Sequence, residues 1–132
     1  MILLDTHVLV WLDQGSDLLG KKARRVIEQS HQKEEVAIAS VSFWEIGMLI
    51  EKGRLAFEGS LAEWRVSLLK SGFVELTADG NVALEAASLK DFPGDPVDRM
   101  ISAIALNQEA RLVTADDRLL GHRGLKTING QN

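Results

Sequence analysis

The chain begins Met1-Ile-Leu-Leu-Asp-Thr6, a short apolar run that closes on an acidic residue and a hydroxyl residue. The apolar run is typical of a buried strand, and the Asp-Thr pair is suited to capping a helix that follows it. A related arrangement occurs at 112–116, where Leu-Val-Thr-Ala leads to Asp116. These stretches predict strands that end beside an acid, and the fold follows from how such strands assemble.

Five short apolar segments are predicted as strands, and they alternate with helical patterns. The strands are 1–4, 36–39, 74–76, 112–114 and, at an edge, 126–128. Helices are predicted after Thr6 and over 16–30, 42–53, 60–72, 81–89 and 97–109. This alternation indicates an α/β fold with a mainly parallel central sheet of four to five strands. No linker or repeat divides residues 1–132, which we expect to form a single domain.

Composition excludes several classes of protein. With no cysteine among 132 residues, the chain has no disulfide, no thiolate nucleophile and no cysteine-based zinc site. The apolar start lacks a basic region and contains Asp5, so we do not interpret it as a signal peptide, and no apolar run is long enough to cross a bilayer. We therefore expect a cytoplasmic protein. Its net charge of −4 gives no overall attraction to nucleic acid.

Four acidic residues are predicted to meet at one edge of the sheet: Asp5, Glu45, Asp98 and Asp116. Two of them end strands, and the other two lie in the first turn of a helix. In right-handed βαβ units both the strand ends and the helix starts lie at the carboxyl edge of the sheet. Clustered carboxylates repel one another unless a cation lies between them. The pattern therefore indicates a Mg²⁺ or Mn²⁺ site, since these ions take carboxylate ligands and leave positions for water and substrate oxygens.

Each acid also has a structural explanation. Ser42-x-x-Glu45 fits a capping box, in which Glu45 would bond the backbone of Ser42 instead of binding metal, or would do both. Asp5 could cap its helix, Asp98 is favoured by the dipole at a helix start, and Asp116 could be a turn residue. Structural caps nevertheless have no reason to gather at one edge. The joint pattern favours the cation site.

Several neighbouring residues are candidates for auxiliary roles. Thr6 and Thr114 could orient a water or a ligand, although threonines at such positions need no such role. Arg99 could pair with a carboxylate of the site, reach a nucleic-acid phosphate or form a surface ion pair. His7 is interpreted as a packed or half-exposed helix residue rather than a metal ligand. The three tryptophans are interpreted as core or dimer contacts rather than as base-stacking platforms: Trp11, Trp44 and Trp64.

The chain resembles the PIN-domain ribonucleases, specifically the toxin subunits of VapBC-type toxin–antitoxin modules. Four stretches carry the resemblance in order and with compatible spacing: ILLDTHVLVW at 2–11, ASVSFWEI at 39–46, DPVDRMISA at 95–103 and LVTADDR at 112–118. Gly53-Arg54-Leu55 also recurs in this branch of the family. The resemblance covers essentially the whole chain and implies a PIN-like three-layer α/β/α fold.

The resemblance also implies a function, Mg²⁺- or Mn²⁺-dependent endonucleolytic cleavage of RNA by a toxin. The family's acidic quartet falls on the same four acids that the sheet-edge argument selected. Asp5, Asp98 and Asp116 would mainly hold the ion or ions, and Glu45 would bind metal or position and activate the attacking water. The expected partners are an RNA substrate, a second copy of the chain in a homodimer, and an antitoxin whose C-terminal segment covers the acidic groove. No membrane contact and no small-molecule organic cofactor is expected.

Two departures from the family pattern concern the site. The loop at 92–96 reads Phe-Pro-Gly-Asp-Pro, where many relatives carry a basic or histidine residue ahead of Asp-Pro, so substrate contacts there are not carried over. Asp116 is followed by Asp117, and the pattern favours the first, with Asp117 a candidate to share its role. Asp95 is interpreted as a turn residue rather than a fifth ligand.

Two other functions remain as alternatives. A non-catalytic binding module would keep the fold without metal, but a degenerate relative would be expected to lose at least one of the four acids. A haloacid-dehalogenase-type phosphatase also has an N-terminal strand that ends in Asp. That class needs a second Asp two residues later, where this chain has His7.

Overall fold

Five short strands form the centre of the computed structural model, which covers residues 1–132. They are β1 (Ile2–Leu4), β2 (Val36–Ala39), β3 (Val74–Leu76), β4 (Arg111–Thr114) and β5 (Thr127–Asn129). All neighbouring strands pair in parallel, in the order β3-β2-β1-β4-β5. The predicted strands are confirmed, and the edge strand β5 begins one residue later than expected.

Seven helices surround the sheet: α1 (Thr6–Gln14), α2 (Lys21–Gln32), α3 (Ser40–Glu51), α4 (Leu61–Lys70), α5 (Gly80–Ser88), α6 (Pro96–Asn107) and α7 (Asp117–Leu120). The helix expected from residue 16 begins at Lys21, because residues 17–18 form a turn. The prediction missed α7, since four residues carry too little periodicity to be recognised. None of these helices combines the length and the apolar character that a membrane span requires.

Apolar side chains pack on both faces of the sheet. Leu3 and Leu112 point to one face and pack with residues of α5, α6 and α7. Leu4 and Val113 point to the other face and pack with residues of α1, α2, α3 and α4. Parallel strands that are covered on both faces read as continuous apolar runs, and each fully buried aliphatic side chain stabilises the fold by about 1.5–3 kcal/mol. The three-layer α/β/α architecture is confirmed.

The central position of β1 determines where the acidic residues lie. Leu4 pairs in register with Ile38 of β2 and with Val113 of β4. The next residue, Asp5, therefore stands at the carboxyl edge, where its backbone N–H donates to the Val113 carbonyl at 2.9 Å. On the neighbouring strand, β2 ends at Ala39 and α3 begins at once, so the start of α3 lies at the same edge.

Candidate active site

The four predicted acids line one pocket at the carboxyl edge of the sheet. The pocket has a volume of about 340 Å³ and is lined by Asp5, His7, Trp11, Glu45, Asp95, Asp98, Ala115, Asp116 and Arg118. Asp98 lies in the first turn of α6, as expected, whereas Glu45 lies in the second turn of α3 rather than the first. The structure brings all four side chains together, and their roles in catalysis and metal binding stay predictions.

Asp5 is the most buried of the four acids, with 7% of its surface exposed. Its Oδ1 accepts a hydrogen bond from the Thr6 backbone N–H at 2.9 Å, and its Oδ2 accepts one from Thr114 Oγ1 at 2.7 Å. Burial raises the pKa of Asp5, and these hydrogen bonds act in the opposite direction. Thr114 Oγ1 also accepts from the Asp116 backbone N–H at 3.1 Å. Thr114 is therefore a positioning residue that joins two acids of the pocket.

Ser42 does not cap α3, and the predicted Ser42–Glu45 capping box is wrong. The N-cap is Ala39, because β2 leads into the helix without a loop. Ser42 lies inside the helix, fully buried, and its Oγ accepts a hydrogen bond from Thr6 Oγ1 at 2.9 Å. The structural explanation that competed with a catalytic role for Glu45 is thereby removed.

The half-buried side chain of Glu45 faces the pocket without a capping role. Burial raises the pKa of Glu45, and the nearby charges of Asp5 and Asp95 add to this effect. The Thr6 hydroxyl acts in the opposite direction. A carboxylate whose pKa is raised in this way is a better proton acceptor than a fully solvated one.

The capping box of this edge lies at α6. Asp95 Oδ1 accepts from the Asp98 backbone N–H at 2.9 Å, and Asp98 Oδ2 accepts from the Asp95 backbone N–H at 3.3 Å. Asp95, expected to be a turn residue, is thus the N-cap of the helix. The pKa of Asp98 is raised to about 6, first by burial and then by the neighbouring charges of Asp95 and Asp5. Asp98 is therefore both a structural and an electrostatic element of the pocket.

Gly94 determines how close the loop before α6 approaches Asp98. Its backbone has φ +105°, and a Cβ at this position would lie 2.8 Å from Asp98 Oδ2 and 2.9 Å from Asp98 Cβ. Only glycine satisfies both the backbone conformation and the contact. The sequence interpretation identified residues 92–96 as a loop but did not assign Gly94 to the site.

Arg118 brings a positive charge into the pocket. Its Nη2 lies 2.8 Å from Asp116 Oδ2 and 3.8 Å from Asp98 Oδ2. The guanidinium holds the pKa of Asp116 below its ordinary value, through hydrogen bonds to the carboxylate. Because 59% of the Arg118 side chain is exposed, water competes for these contacts. The sequence interpretation did not assign Arg118 to the site, and its position two residues after Asp116 was the available signal.

Arg99 and Asp117 were expected as auxiliary residues, and neither lines the pocket. Arg99 Nη1 donates to the carbonyls of Ala86 at 2.8 Å and Leu89 at 3.1 Å, at the end of α5. It therefore ties α5 to α6 and takes part in none of the ion pairs of the protein. Asp117 is the exposed first residue of α7. The structure gives both residues positions outside the acidic cluster.

The tryptophans occupy three different environments. Trp64 packs edge-on against Phe43 and Phe57, with ring centroids 5.7 and 5.1 Å away. Trp11 is half-buried and lines the acidic pocket. Trp44, by contrast, is 64% exposed. Of the two expected positions, core or dimer contact, Trp64 takes the core position, whereas Trp44 is outside the core and its dimer contact stays a prediction.

The donor atoms of the pocket suit a hard divalent cation, because they are carboxylate oxygens. In the present side-chain arrangement no three acidic or histidine side chains are placed to hold a metal ion. Asp116 is paired with Arg118, and Asp98 is bonded to the start of its own helix. Five acidic side chains nevertheless line the pocket with one guanidinium, so the pocket carries negative charge that Arg118 alone does not compensate. The pocket therefore offers the type of ligand atom and the negative charge that a divalent cation requires.

Comparisons with known proteins agree on a family and a fold. The family model described as PIN domain matches residues 2–124. The chain is 35% identical over 126 residues to ribonuclease VapC22 of Mycobacterium tuberculosis, and the match covers 92% of each protein. Among solved structures, it is similar to VapBC2 of Rickettsia felis bound to a promoter DNA fragment, with TM-score 0.71, 18% identity and 98% of each chain covered. A toxin–antitoxin complex from Klebsiella pneumoniae matches with TM-score 0.65, 17% identity and the same coverage.

Proposed function

The chain belongs to the PIN-domain family, and on this basis we propose that it is the toxin component of a toxin–antitoxin module and acts as a divalent-metal-dependent endoribonuclease. The observation that carries the proposal is the convergence of four separated acids on one pocket. Support for the activity comes from the 35% identical relative, which is itself named a ribonuclease. Support for the toxin role comes from the toxin–antitoxin complexes among the structural matches.

In this proposal Asp5, Asp98 and Asp116 hold Mg²⁺ or Mn²⁺, and Glu45 binds the ion or acts on the water. When bound, such an ion supplies positive charge to the phosphate oxygens and lowers the pKa of a coordinated water. Glu45 accepts the proton of the attacking water, a role that suits its raised pKa. The side chains need form no covalent bond to the substrate.

The remaining polar residues hold the acids in place. Thr114 donates to Asp5 and accepts from the Asp116 backbone, so it keeps these two acids at a constant separation. Thr6 donates its backbone N–H to Asp5 and its hydroxyl to Ser42, which links the start of α1 to α3. Preorganised groups of this kind lower the barrier because they need not reorient during the reaction.

The partners proposed are an RNA substrate, a cognate antitoxin and a second copy of the chain in a homodimer. Membership of the PIN-domain family removes the basis for the haloacid-dehalogenase alternative. If the chain were instead a non-catalytic binding module, the purified protein would neither cut RNA nor bind a divalent cation.

The test is an RNA cleavage assay with the purified chain free of antitoxin. We expect cleavage in the presence of Mg²⁺ or Mn²⁺, loss of cleavage with EDTA, and recovery when the ion is added back. Mapping the new RNA ends defines the substrate, and an Asp98→Asn preparation controls for contaminating nucleases. Chelator-resistant cleavage would contradict the metal-dependent mechanism. Absence of both cleavage and calorimetric metal binding would favour the binding module.

A further inference from the structure

A groove runs from the acidic pocket along α3. We call it the α3 groove; it has a volume of about 290 Å³, and its walls include Trp44, Met48, Lys52, Arg54, Pro96 and Val97. Glu45 and Asp95 line both this groove and the acidic pocket, so the two cavities adjoin at these residues. One wall is a face of α3, and the other is the first turn of α6. A chain that lies in the groove would therefore enter the acidic pocket at one end.

The far end of the α3 groove is positively charged. Lys52 follows the last residue of α3, and Gly53 with φ +69° turns the chain so that Arg54 also lines the groove. Both side chains are exposed, and neither takes part in any of the three ion pairs of the protein. Cations at a helix C-terminus are stabilised by the helix dipole, which explains their presence but not their lack of acidic partners.

Trp44 provides a flat apolar surface between the two charged ends. Its indole is 64% exposed, and it shares a face of α3 with Met48 and Lys52, since the three residues are spaced by four. The helix separates Trp44 and Lys52 by about 12 Å along its axis. A large aromatic side chain left in water without a packing partner costs hydrophobic free energy, which contact with a ligand would recover.

We propose that the α3 groove binds the single-stranded RNA segment next to the cleaved phosphate, with one base stacked on Trp44 and phosphates bound by Lys52 and Arg54. The inference rests on the proposed ribonuclease function and adds to it the residues that hold the substrate. Aromatic side chains with adjacent cations are the usual means by which proteins bind single strands. The net charge of −4 and the acidic pocket repel RNA, so cations beside the pocket are needed for affinity.

Charge favours RNA over an apolar protein surface in the groove. A partner surface without acidic groups would leave two cations at the groove end without compensation. An RNA backbone would compensate both Lys52 and Arg54, and the following phosphate along the strand would lie towards the acidic pocket. Because the groove adjoins the pocket, an RNA strand held in it leads directly to the proposed cleavage site, as a substrate must.

The test compares RNA cleavage by Trp44→Ala, Trp44→Phe and the double variant Lys52→Gln/Arg54→Gln with the wild type. The substrate is a labelled RNA that the wild type cuts, at several salt concentrations. Matched controls are Leu84→Ala, another exposed apolar side chain, and Lys33→Gln/Lys70→Gln, two exposed cations at other helix C-termini. Sedimentation velocity reports the oligomeric state of every variant.

We expect Trp44→Ala to raise KM about tenfold with little change in kcat, since stacking holds the substrate before and during the reaction. Trp44→Phe should keep most of the affinity. The double variant should reduce the slope of log(kcat/KM) against log[salt] by about 0.7 for each phosphate that is no longer bound. The control variants should match the wild type.

Three results would overturn the inference. If the wild type cuts RNA and both Trp44→Ala and the double variant match it, the groove has no part in substrate binding, and the proposed function stands. If Trp44→Ala converts a dimer to a monomer, the groove is an interface between copies. If the wild type cuts no RNA in Mg²⁺ or Mn²⁺, the proposed function fails and the inference fails with it.

Discussion

The inner and outer halves of the acidic pocket are held in place by different forces. The inner half consists of Asp5 and three buried residues behind the pocket wall, Thr6, Ser42 and Thr114, with hydrogen bonds of 2.7 to 2.9 Å among them. The outer half consists of Asp95, Asp98, Asp116 and Arg118, all at least partly exposed, with an ion pair and a helix cap as its contacts. The inner half is held by buried hydrogen bonds, and the outer half is held by an ion pair and a helix cap.

This difference separates stability from function in the two halves. A buried hydrogen-bonding group that loses its partner costs about 1–3 kcal/mol, because no water replaces that partner. An exposed ion pair contributes about 0–1 kcal/mol, because water and salt screen it. Changes in the inner half should therefore alter both folding and activity, whereas loss of the exposed Arg118–Asp116 pair should have little effect on folding.

Asp98→Asn should have the largest effect on activity of any change in the outer half. The amide keeps the side-chain volume and can still accept the Asp95 N–H, but it removes a charge from the site. We expect RNA cleavage to fall by about a hundredfold or more, with an unchanged circular dichroism spectrum. Asp117→Asn, outside the pocket, is the control and should cleave normally. Full activity of Asp98→Asn would reject the metal-site assignment.

Thr114→Val should have the largest effect on stability. The valine cannot donate to Asp5 or accept from the Asp116 N–H, so it leaves buried polar groups without partners. We expect a loss of about 2 kcal/mol in the free energy of unfolding, measured with urea, together with reduced cleavage. Thr114→Ser keeps the hydroxyl, so its free energy of unfolding should lie between those of Thr114→Val and the wild type. A Thr114→Val variant as stable as the wild type would show that this hydrogen-bond network contributes little.

Gly94→Ala tests whether the outer half also depends on a steric contact. The added Cβ would displace Asp98, and we expect cleavage to fall about tenfold or more. Gly59→Ala is the matched control, because Gly59 also has a positive φ, +86°, but a Cβ added there would have no atom within 4 Å. Both variants carry backbone strain, and only Gly94→Ala should lose activity beyond its loss of stability. Equal activity in the two variants would remove Gly94 from the site.

The pH dependence of stability tests the electrostatic contribution of Asp98 in the outer half. The pKa of Asp98 rises from 3.8 to about 6 on folding, so the folded state binds this proton more tightly than the unfolded state. Asp98 therefore stabilises the fold most below pH 3.8, and that contribution is lost as the pH rises through about 6. With EDTA present, the Tm of the wild type should fall relative to the Tm of Asp98→Asn as the pH rises over this range. Parallel Tm curves would contradict the raised pKa.

Arg118→Gln should have the smallest effect. The Arg118 side chain is largely exposed, so we expect no measurable change in thermal stability. Its removal should return the pKa of Asp116 towards the ordinary value and free that carboxylate to bind an ion. The Mg²⁺ concentration for half-maximal cleavage should then fall by about twofold to threefold, corresponding to a weak exposed pair. Arg123→Gln is the control, and a higher Mg²⁺ requirement for Arg118→Gln would indicate that Arg118 assists binding instead.

Local patterns predicted the main elements well and failed where a motif matched at the wrong place. The Ser42-x-x-Glu45 spacing fits a capping box, yet α3 already begins at Ser40 because β2 runs directly into it. The true box at α6 uses Asp at both positions, which the usual Ser/Thr and Glu/Gln pattern does not match. A capping motif reports local hydrogen-bonding capacity, and the path of the preceding strand decides whether that capacity is used.

The sequence alone determined which segments place an acid at a strand end or near a helix start: apolar runs that end beside Asp5 and Asp116, and helices that start beside Asp98 and shortly before Glu45. Chain direction in a parallel sheet then requires these acids to share an edge. Only the tertiary structure decided which side chains meet there. The Thr114–Asp5 hydrogen bond joins residues 109 positions apart, and neither it nor the exposure of Trp44 follows from local periodicity. Such contacts depend on how whole elements pack, because backbone periodicity carries information only over a few turns of chain.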